Sequence, residues 1–283
     1  MIEAQELANW QPYANWSQPW MVEQDYLISR AVALIFADKF LIGQVAMRGG
    51  TILHKGHLAP ASRYSEDIDL VRIGDRPASS IKKALNRVLK PLFENGPSES
   101  ILTRVTLAVR NVTMRSQIIR QTYNFDPIDR QSAIGQLKVE ANVNEVTPYL
   151  PIVPVTMNVP DGKGAIVVID VPSYGLNEML GTKLRALLQR EHGRDLYDLW
   201  RAWEVTQAGG AAVDPTIVGD AFRFYMDREG SKIPQGWVAS EVARRMQSPK
   251  FTNDMKNYLP LGVAYSPNEA YDVFQDFYLP HLP

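Results

Sequence analysis

SEDIDLV is the sequence of residues 65–71, and it sets two carboxylates among apolar side chains. Successive side chains of a β-strand point to opposite faces, so Asp67 and Asp69 share one face. Ile68 and Leu70 share the other face, where they can pack on a helix. Two adjacent carboxylates repel each other unless a cation neutralises them, and Mg²⁺ prefers carboxylates together with substrate phosphates. We therefore predict that Asp67 and Asp69 bind Mg²⁺; the alternative is an acidic pair on a solvated strand.

A glycine turn precedes this strand in RGGT, residues 48–51. A short buried strand is predicted before the turn and a helix after it, and at such a junction glycines let backbone N–H groups approach a phosphate. We predict that Gly49, Gly50 and Thr51 bind a nucleotide, with Thr51 as a hydroxyl donor. Strand alternation places Ser65 on the face of the two aspartates, and we include it in this group. A plain strand-to-helix turn is the competing interpretation of the glycines.

Glu140 is the candidate for the third acidic residue that a two-metal site needs. It lies in LKVEANV, residues 137–143, where apolar residues occupy one strand face. Lys138, Glu140 and Asn142 occupy the other face. From a neighbouring strand Glu140 would complete the metal site. In the alternative it is a solvent-facing residue paired with a lysine.

The second half of the chain carries a lysine and two aspartates at helical positions. Lys183 lies in GTKLRAL, residues 181–187, and can offer a point charge to a nucleotide phosphate. Asp195 and Asp198 lie in RDLYDLW, residues 194–200, and their spacing puts them on one helix face. We predict that Lys183 and Asp195 act in catalysis, and that Lys183 and Asp198 contact the nucleotide. The alternatives are a solvated Lys183 and an Asp195 that only stabilises a helix N-terminus.

Composition limits the classes of protein. The 283 residues contain no cysteine, which excludes disulfides and cysteine-based zinc sites, and the net charge of −1 gives no global attraction for nucleic acid. Any phosphate-binding surface must therefore be local. The N-terminus lacks the pattern of a signal peptide and no apolar run is long enough to span a bilayer, so we expect a cytoplasmic protein without a membrane partner.

The hydrophobic pattern changes near residue 172. Before it we predict helices at 22–41, 51–55 and 78–93, and strands at 44–47, 63–72, 101–109, 113–125, 134–144 and 165–171, with a proline-rich linker between the last two strands. After it we predict helices at 176–189, 195–207, 215–228, 237–246, 252–258 and 267–278. The expected organisation is an α/β domain with a mixed sheet, residues 1–172, followed by a helical C-terminal domain, residues 173–283.

Taken in order, these motifs resemble the AbiEii-type nucleotidyltransferase toxins, which include the MenT toxins. The resembling segments are residues 49–51, 65–69, 183–187 and 194–198, which together span over half the chain. Arg48 departs from the family pattern, in which a lysine often precedes the glycines, but it keeps the positive charge. The resemblance implies a polymerase-β-like nucleotidyltransferase fold with a helical C-terminal part.

The resemblance also implies a function and partners. The expected protein is a toxin of a toxin–antitoxin system that uses NTP and Mg²⁺ to add nucleotides to an RNA, as some members do at the tRNA 3′ end, which blocks translation. The partner would be a cognate antitoxin protein. Asp67 and Asp69, with Glu140, would hold the metal for in-line attack of an acceptor hydroxyl on the α-phosphate. Lys183 would offset triphosphate charge.

Two other functions remain open. A small-molecule nucleotidyltransferase, such as one that modifies an antibiotic, would share the fold and the metal site. A binding protein with a degenerate fold would not be an enzyme, although the intact acidic residues and lysine argue against it. Basic residues that would favour RNA lie on one predicted helix and on strands: Lys82, Lys83, Arg87, Lys90, Arg104, Arg110, Arg115 and Arg120.

Overall fold

The computed structural model describes residues 4–93, 101–111, 114–125, 127–128, 135–144 and 147–283, with side chains left undescribed for residue 93 and residues 101–117. The predicted strand starts at Thr113 and Ile134, and the side chains of Arg104, Arg110 and Arg115, therefore lie outside the described residues. The chain forms two compact units. One consists of Met1–Pro148 and Ile152–Tyr174, and the other of Tyr149–Pro151 and Gly175–Pro283. The domain boundary at residue 172 stays a prediction.

A mixed sheet is the centre of the first unit. Among the described residues it has seven strands: β1 Val45–Arg48, β2 Asp67–Arg72, β3 Ile101–Asn111, β4 Met114–Phe125, β5 Gly135–Asn142, β6 Val153–Pro160 and β7 Ile166–Ser173. Their spatial order is β3-β4-β5-β2-β1-β7-β6. The pairs β2–β5 and β1–β7 are parallel, and the other neighbours are antiparallel. The predicted mixed sheet is confirmed.

One sheet element corrects the sequence analysis. The proline-rich segment predicted as a linker contains β6, which pairs only with β7 at the edge of the described sheet. Proline cannot donate a ladder hydrogen bond, so it is tolerated on an edge strand and not in a central one. Pro154 of β6 lies opposite Pro172 of β7. Pro154 and Pro160 of β6 therefore mark the edge strand of the sheet, and not a break in it.

Helices cover one face of the sheet in the first unit. The helices are α1 Ala4–Trp10, α2 Pro19–Ala37, α3 Gly49–Ile52 and α4 Ala78–Phe93, and a π-helical turn, Leu53–His57, continues α3. Helices α2 and α4 pack on β5 and β4, where Val139, Ile119 and Tyr123 are buried. Helix α2 ends before the predicted residue 41 because the Asp38 carboxylate accepts the Phe40 and Leu41 amide hydrogens.

The second unit is helical, as predicted. It contains α5 Leu176–Gln189, α6 Gly193–Gln207, α7 Pro215–Arg228, α8 Trp237–Met246, α9 Pro249–Thr252 and α10 Pro267–Val273. Helices α5 and α7 pack so closely that a Cβ on Gly181 would lie 2.7 Å from the Ala221 Cβ. The predicted helix at 252–258 is wrong, since α9 ends at Thr252 and a separate 3-10 turn follows at Asp254–Asn257. In the described part of the chain, no helix has the length and apolar character to cross a membrane.

Candidate active site

The two aspartates of β2 lie on the sheet face opposite α2 and α4. Ile68 and Leu70 point into the core, and Asp67 and Asp69 are partly buried on the other face. Within the described residues, Asp67 Oδ1 is buried and has no hydrogen-bond partner. An unsatisfied buried carboxylate oxygen is costly, so it marks a position where a ligand is expected.

The electrostatics of this pair favour a cation. Burial and, to a smaller extent, the neighbouring Asp69 together raise the pKa of Asp67 from its ordinary value to about 7, while Lys138 acts in the opposite direction. A divalent cation would offset both the burial of the carboxylate and the repulsion between the two aspartates. The donor set, two carboxylates with one unsatisfied oxygen, therefore fits a hard cation such as Mg²⁺.

Gly49 joins the glycine turn to this pair. Its φ of +81° lies in the left-handed region, which L side chains rarely adopt. A Cβ at residue 49 would lie 2.0 Å from Asp69 Oδ2, so only glycine lets the turn approach the carboxylate this closely. The predicted junction of strand, turn and helix is present, because β1 ends at Arg48 and α3 begins at Gly49. The structure thus brings the turn and the aspartates together.

Thr51 and Ser65 form a cluster of hydroxyl groups beside this turn. Thr51 is buried, and its Oγ1 lies 2.6 Å from the Asp67 carbonyl oxygen and 3.0 Å from Ser65 Oγ. A hydroxyl has a single proton, and the short contact assigns the Thr51 proton to the Asp67 carbonyl. That proton is therefore not directed at a phosphate. Thr51 instead holds α3 against the start of β2, while Ser65 reaches the same cluster beside Gly50.

Glu140 lies on the strand next to the two aspartates, but its side chain forms a hydrogen bond with Arg120 on the strand beyond it. In the parallel register of β2 and β5, Glu140 is the partner of Asp69, and Lys138 is the partner of Asp67. The Glu140 carboxylate accepts a 2.5 Å hydrogen bond from Arg120 Nε on β4, so its basic partner is an arginine and not a lysine. No group of three or more acidic or histidine side chains able to hold a metal occurs among the described residues. A role for Glu140 at the metal stays a prediction.

Lys183 belongs to a buried ionic cluster in the second unit. Its Nζ lies 2.7 Å from Asp198 Oδ2 and 3.4 Å from Asp195 Oδ1. Asp195 also accepts hydrogen bonds from Arg190 at 2.8 and 2.9 Å. Burial acts to raise the pKa of Asp195, but Lys183 and Arg190 outweigh it and hold the pKa below its ordinary value. The alternative of a solvated Lys183 is wrong, since its side chain is only 6% exposed.

The predicted site residues thus fall into two groups. Gly49, Gly50, Thr51, Ser65, Asp67, Asp69 and Glu140 lie in the first unit, and Lys183, Asp195 and Asp198 in the second. Sequence reasoning missed two basic residues beside these groups: Arg63 is buried against Gly50, and Arg190 binds Asp195. It named Arg120 only as a basic residue that would favour RNA, and not as the partner of Glu140. The register of β4 and β5 makes Arg120 the partner of Glu140. From the sequence, only the alternation of side chains along β4 could have indicated which face Arg120 lies on.

Comparisons with known proteins identify the fold and the family of the chain. No curated protein sequence matches the chain significantly. The matching solved structures include MenT4, a nucleotidyltransferase toxin from Mycobacterium tuberculosis H37Rv, with a TM-score of 0.62 and 16% sequence identity over 100% of this chain and 91% of that chain. This similarity confirms the expected fold, including the helical C-terminal region. The model of the family described as the nucleotidyl transferase AbiEii toxin of type IV toxin–antitoxin systems matches residues 30–276, and the chain therefore belongs to this family of nucleotidyltransferases.

Proposed function

We propose that this toxin transfers a nucleoside monophosphate from an NTP to an RNA acceptor, namely the 3′ end of tRNA, in a Mg²⁺-dependent reaction that blocks translation. The observation that carries the proposal is the pairing of Asp67 and Asp69 on β2, with the unsatisfied Asp67 Oδ1 beside the glycine turn. Membership of the AbiEii family of nucleotidyl transferase toxins supports nucleotidyl transfer as the reaction.

Asp67 and Asp69 would hold the cation. When bound, Mg²⁺ supplies positive charge that neutralises the triphosphate and the leaving pyrophosphate and favours attack by an acceptor hydroxyl. The apolar face of β2 fixes the position of both carboxylates, because Ile68 and Leu70 are fully packed in the core. Thr51 restrains the same strand from the other side through the Asp67 carbonyl oxygen. The carboxylates are therefore held in place before the substrates bind.

Each set of residues offers candidate groups for binding the nucleotide. The backbone of Gly49 and Gly50 can approach a phosphate because neither residue carries a side chain, and Ser65 adds a hydroxyl at the same turn. Lys183 would supply a point charge to the triphosphate, and Asp195 and Asp198 would hold its ammonium group in position. Thr51 contributes by positioning the turn.

The proposal extends to partners and location. Toxins of type IV systems are produced with an antitoxin, and the family therefore implies a cognate antitoxin protein. We propose that both proteins act in the cytoplasm, where NTPs and tRNA are present.

The decisive experiment supplies the purified protein with total RNA and each labelled NTP in turn. We expect one or more NTPs to label an RNA of tRNA size, with no labelling in excess EDTA. Asp67→Asn and Asp69→Asn should abolish labelling, whereas Asp170→Asn should not, because Asp170 is an exposed residue of β7 that binds Thr156. Labelling of a small molecule and not of RNA would reassign the acceptor. Labelling that persists in EDTA would contradict the metal-dependent mechanism.

A further inference from the structure

The sheet face that carries Asp67 and Asp69 continues over β5 and β4 as a polar surface. In register with the aspartates lie Lys138 and Glu140 on β5, and next to these lie Thr122 and Arg120 on β4. The opposite face of these strands is buried beneath α2 and α4, so this face is the one open to solvent. Glu140 is the sole carboxylate at the described positions of β4 and β5. Such a surface, basic and polar and adjoining the aspartates, suits a polyanion.

Glu140 stands between two possible partners on this surface. On one side its register partner is Asp69 of β2, and on the other it is Arg120 of β4. Its carboxylate binds Arg120 Nε at 2.5 Å, and the two side chains are 26% and 44% exposed. An ion pair this exposed contributes only about 0–1 kcal/mol, because water solvates the separated charges well. A competing anion can therefore take Arg120 at little cost.

A nucleic-acid phosphate is the anion that Arg120 is equipped to bind. A guanidinium group has five N–H donors in a planar fork that matches phosphate oxygens, and among the described contacts only the Nε donor is used. Arg120 lies two strands away from Asp69, across Glu140, so a phosphate bound there would lie close to the aspartates. This is the placement expected for the backbone next to a reacting 3′ end.

We propose that Arg120 binds a backbone phosphate of the RNA acceptor and thereby releases Glu140, which turns toward Asp67 and Asp69 and completes the site for the divalent cation. This inference rests on the function proposed above. It explains why the register places a third acid beside Asp69 while, among the described residues, no three acidic side chains are arranged to hold a metal ion. The ion pair between Arg120 and Glu140 competes with RNA for Arg120 and with the cation for Glu140. Binding of either one breaks the pair, so RNA and the cation each increase the affinity for the other.

The first test measures Mn²⁺ binding to the full chain by electron paramagnetic resonance, without nucleotide and without RNA. Arg120→Gln leaves Glu140 without its partner, so it should bind Mn²⁺ up to about fivefold more tightly than the wild type, the factor that corresponds to the free energy of the lost ion pair. Glu140→Gln should bind Mn²⁺ as the wild type does. The matched control is Arg87→Gln, which breaks another exposed pair, with Asp38 at 2.6 Å, away from the aspartates. Equal Mn²⁺ affinity in Arg120→Gln, Arg87→Gln and wild type would overturn the proposal.

The second test repeats the titration with saturating total tRNA. The wild type should gain about fivefold in Mn²⁺ affinity, whereas Arg120→Gln and Glu140→Gln should gain little. Without metal, Arg120→Gln should bind tRNA more weakly, and the slope of log affinity against log salt should fall by about 0.7–0.9. If Arg87→Gln shows this loss instead, the acceptor lies on α4 and the proposal is wrong.

The two proposals can fail separately. RNA labelling with wild-type Mn²⁺ and tRNA binding in Arg120→Gln would refute the role of Arg120 and leave nucleotidyl transfer intact. Absence of any tRNA binding and of any RNA labelling by the wild type would refute both. If Arg120→Gln gains Mn²⁺ affinity but the enzyme transfers nucleotides to a small molecule, Glu140 does join the cation site when its contact with Arg120 is lost. RNA is then not the ligand that breaks this contact.

Discussion

Gly49 and Asp69 are in such close contact that a Cβ on residue 49 would lie 2.0 Å from Asp69 Oδ2. The glycine also has a φ of +81°, so two independent requirements select it. Because this contact joins the end of β1 to the acidic strand, it fixes the distance between the glycine turn and the aspartates. The relationship places the glycine turn directly beside the two aspartates.

Gly49→Ala is expected to damage both the fold and the reaction. The left-handed backbone costs an L residue about 1–2 kcal/mol, and the new Cβ would also displace the Asp69 carboxylate. The matched control is Gly164→Ala, which shares a positive φ of +95° but has no atom within 4 Å of the added Cβ. Urea unfolding should show a loss in both variants, and only Gly49→Ala should lose RNA labelling. Equal activity of the two variants would contradict the role of this contact.

The pKa of Asp67 predicts how stability depends on pH in the absence of metal. Burial and the Asp69 charge raise this pKa to about 7, above its unfolded value, so the folded state holds the proton more tightly than the unfolded state. The resulting stabilisation is fully present below the unfolded pKa and is lost as the pH rises through about 7. The free energy of unfolding in EDTA should therefore fall by roughly 2 kcal/mol between pH 5 and pH 8 through this group.

Asp67→Asn should remove that decline, because the amide has no proton to lose in this range. At pH 8 the variant should melt at a higher temperature than the metal-free wild type, and near pH 4 the two should be similar. Adding Mn²⁺ at pH 8 should raise the melting temperature of the wild type and not that of the variant. Asp170→Asn, on an exposed position, serves as the control. If the melting temperatures of Asp67→Asn and of the wild type change with pH in the same way, the pKa of Asp67 is not raised in the folded state.

Lys183 presents a choice between a structural and a nucleotide-binding role. Lys183→Ala leaves buried Asp198 without its 2.7 Å partner, which should lower the free energy of unfolding by roughly 3–5 kcal/mol. Adding Asp198→Asn removes the buried carboxylate that has lost its ion pair with Lys183, so the double variant should regain most of the stability, since Arg190 still pairs with Asp195. If Lys183 binds the nucleotide, the KM for NTP of the double variant should stay above that of the wild type. The single variant Asp198→Asn, which keeps Lys183, should have a lower KM for NTP than the double variant. Recovery of stability and kinetics together would make the lysine purely structural.

Periodicity predicted most of the secondary structure because it records which faces are buried. The predicted ends of α4, α5, α7 and α8 coincide with those in the structure, and alternation located β2 and β5. Edge strand β6 was missed because its prolines indicate a break, and only the topology shows that its outer side needs no partner.

The candidate site was predictable only where its residues are close in sequence. Asp67 and Asp69 follow from alternation within one strand. The contact of Glu140 with Arg120 and the burial of Lys183 among carboxylates depend on tertiary contacts between residues 12 to 20 positions apart. Local patterns cannot distinguish such partners from solvent, so the alternative readings for Glu140 and Lys183 could not be decided from sequence.

The N-terminal segment should be essential for stability even though it precedes the family match, which begins at residue 30. Asp25 is fully buried and accepts hydrogen bonds from Trp10 Nε1 at 2.8 Å, Trp16 Nε1 at 3.0 Å and Lys55 Nζ at 2.6 Å. Lys55 lies in the π-helical turn that continues α3, so the cluster ties the start of the chain to the element that follows the glycine turn.

Trp16→Phe keeps an aromatic six-membered ring but deletes the indole N–H and its hydrogen bond to the buried Asp25 carboxylate, which should lower the free energy of unfolding by about 1.5–3 kcal/mol. Trp237→Phe is the matched control, because Trp237 is 37% exposed and its replacement should change stability by less than about 0.5 kcal/mol. Urea titration measures both. Hydrogen exchange should also show faster opening of residues 53–57 in Trp16→Phe, since Lys55 loses part of the structure that positions its partner. If the two variants unfold at the same urea concentration, Asp25 does not depend on the tryptophan, and the N-terminal segment is only loosely attached.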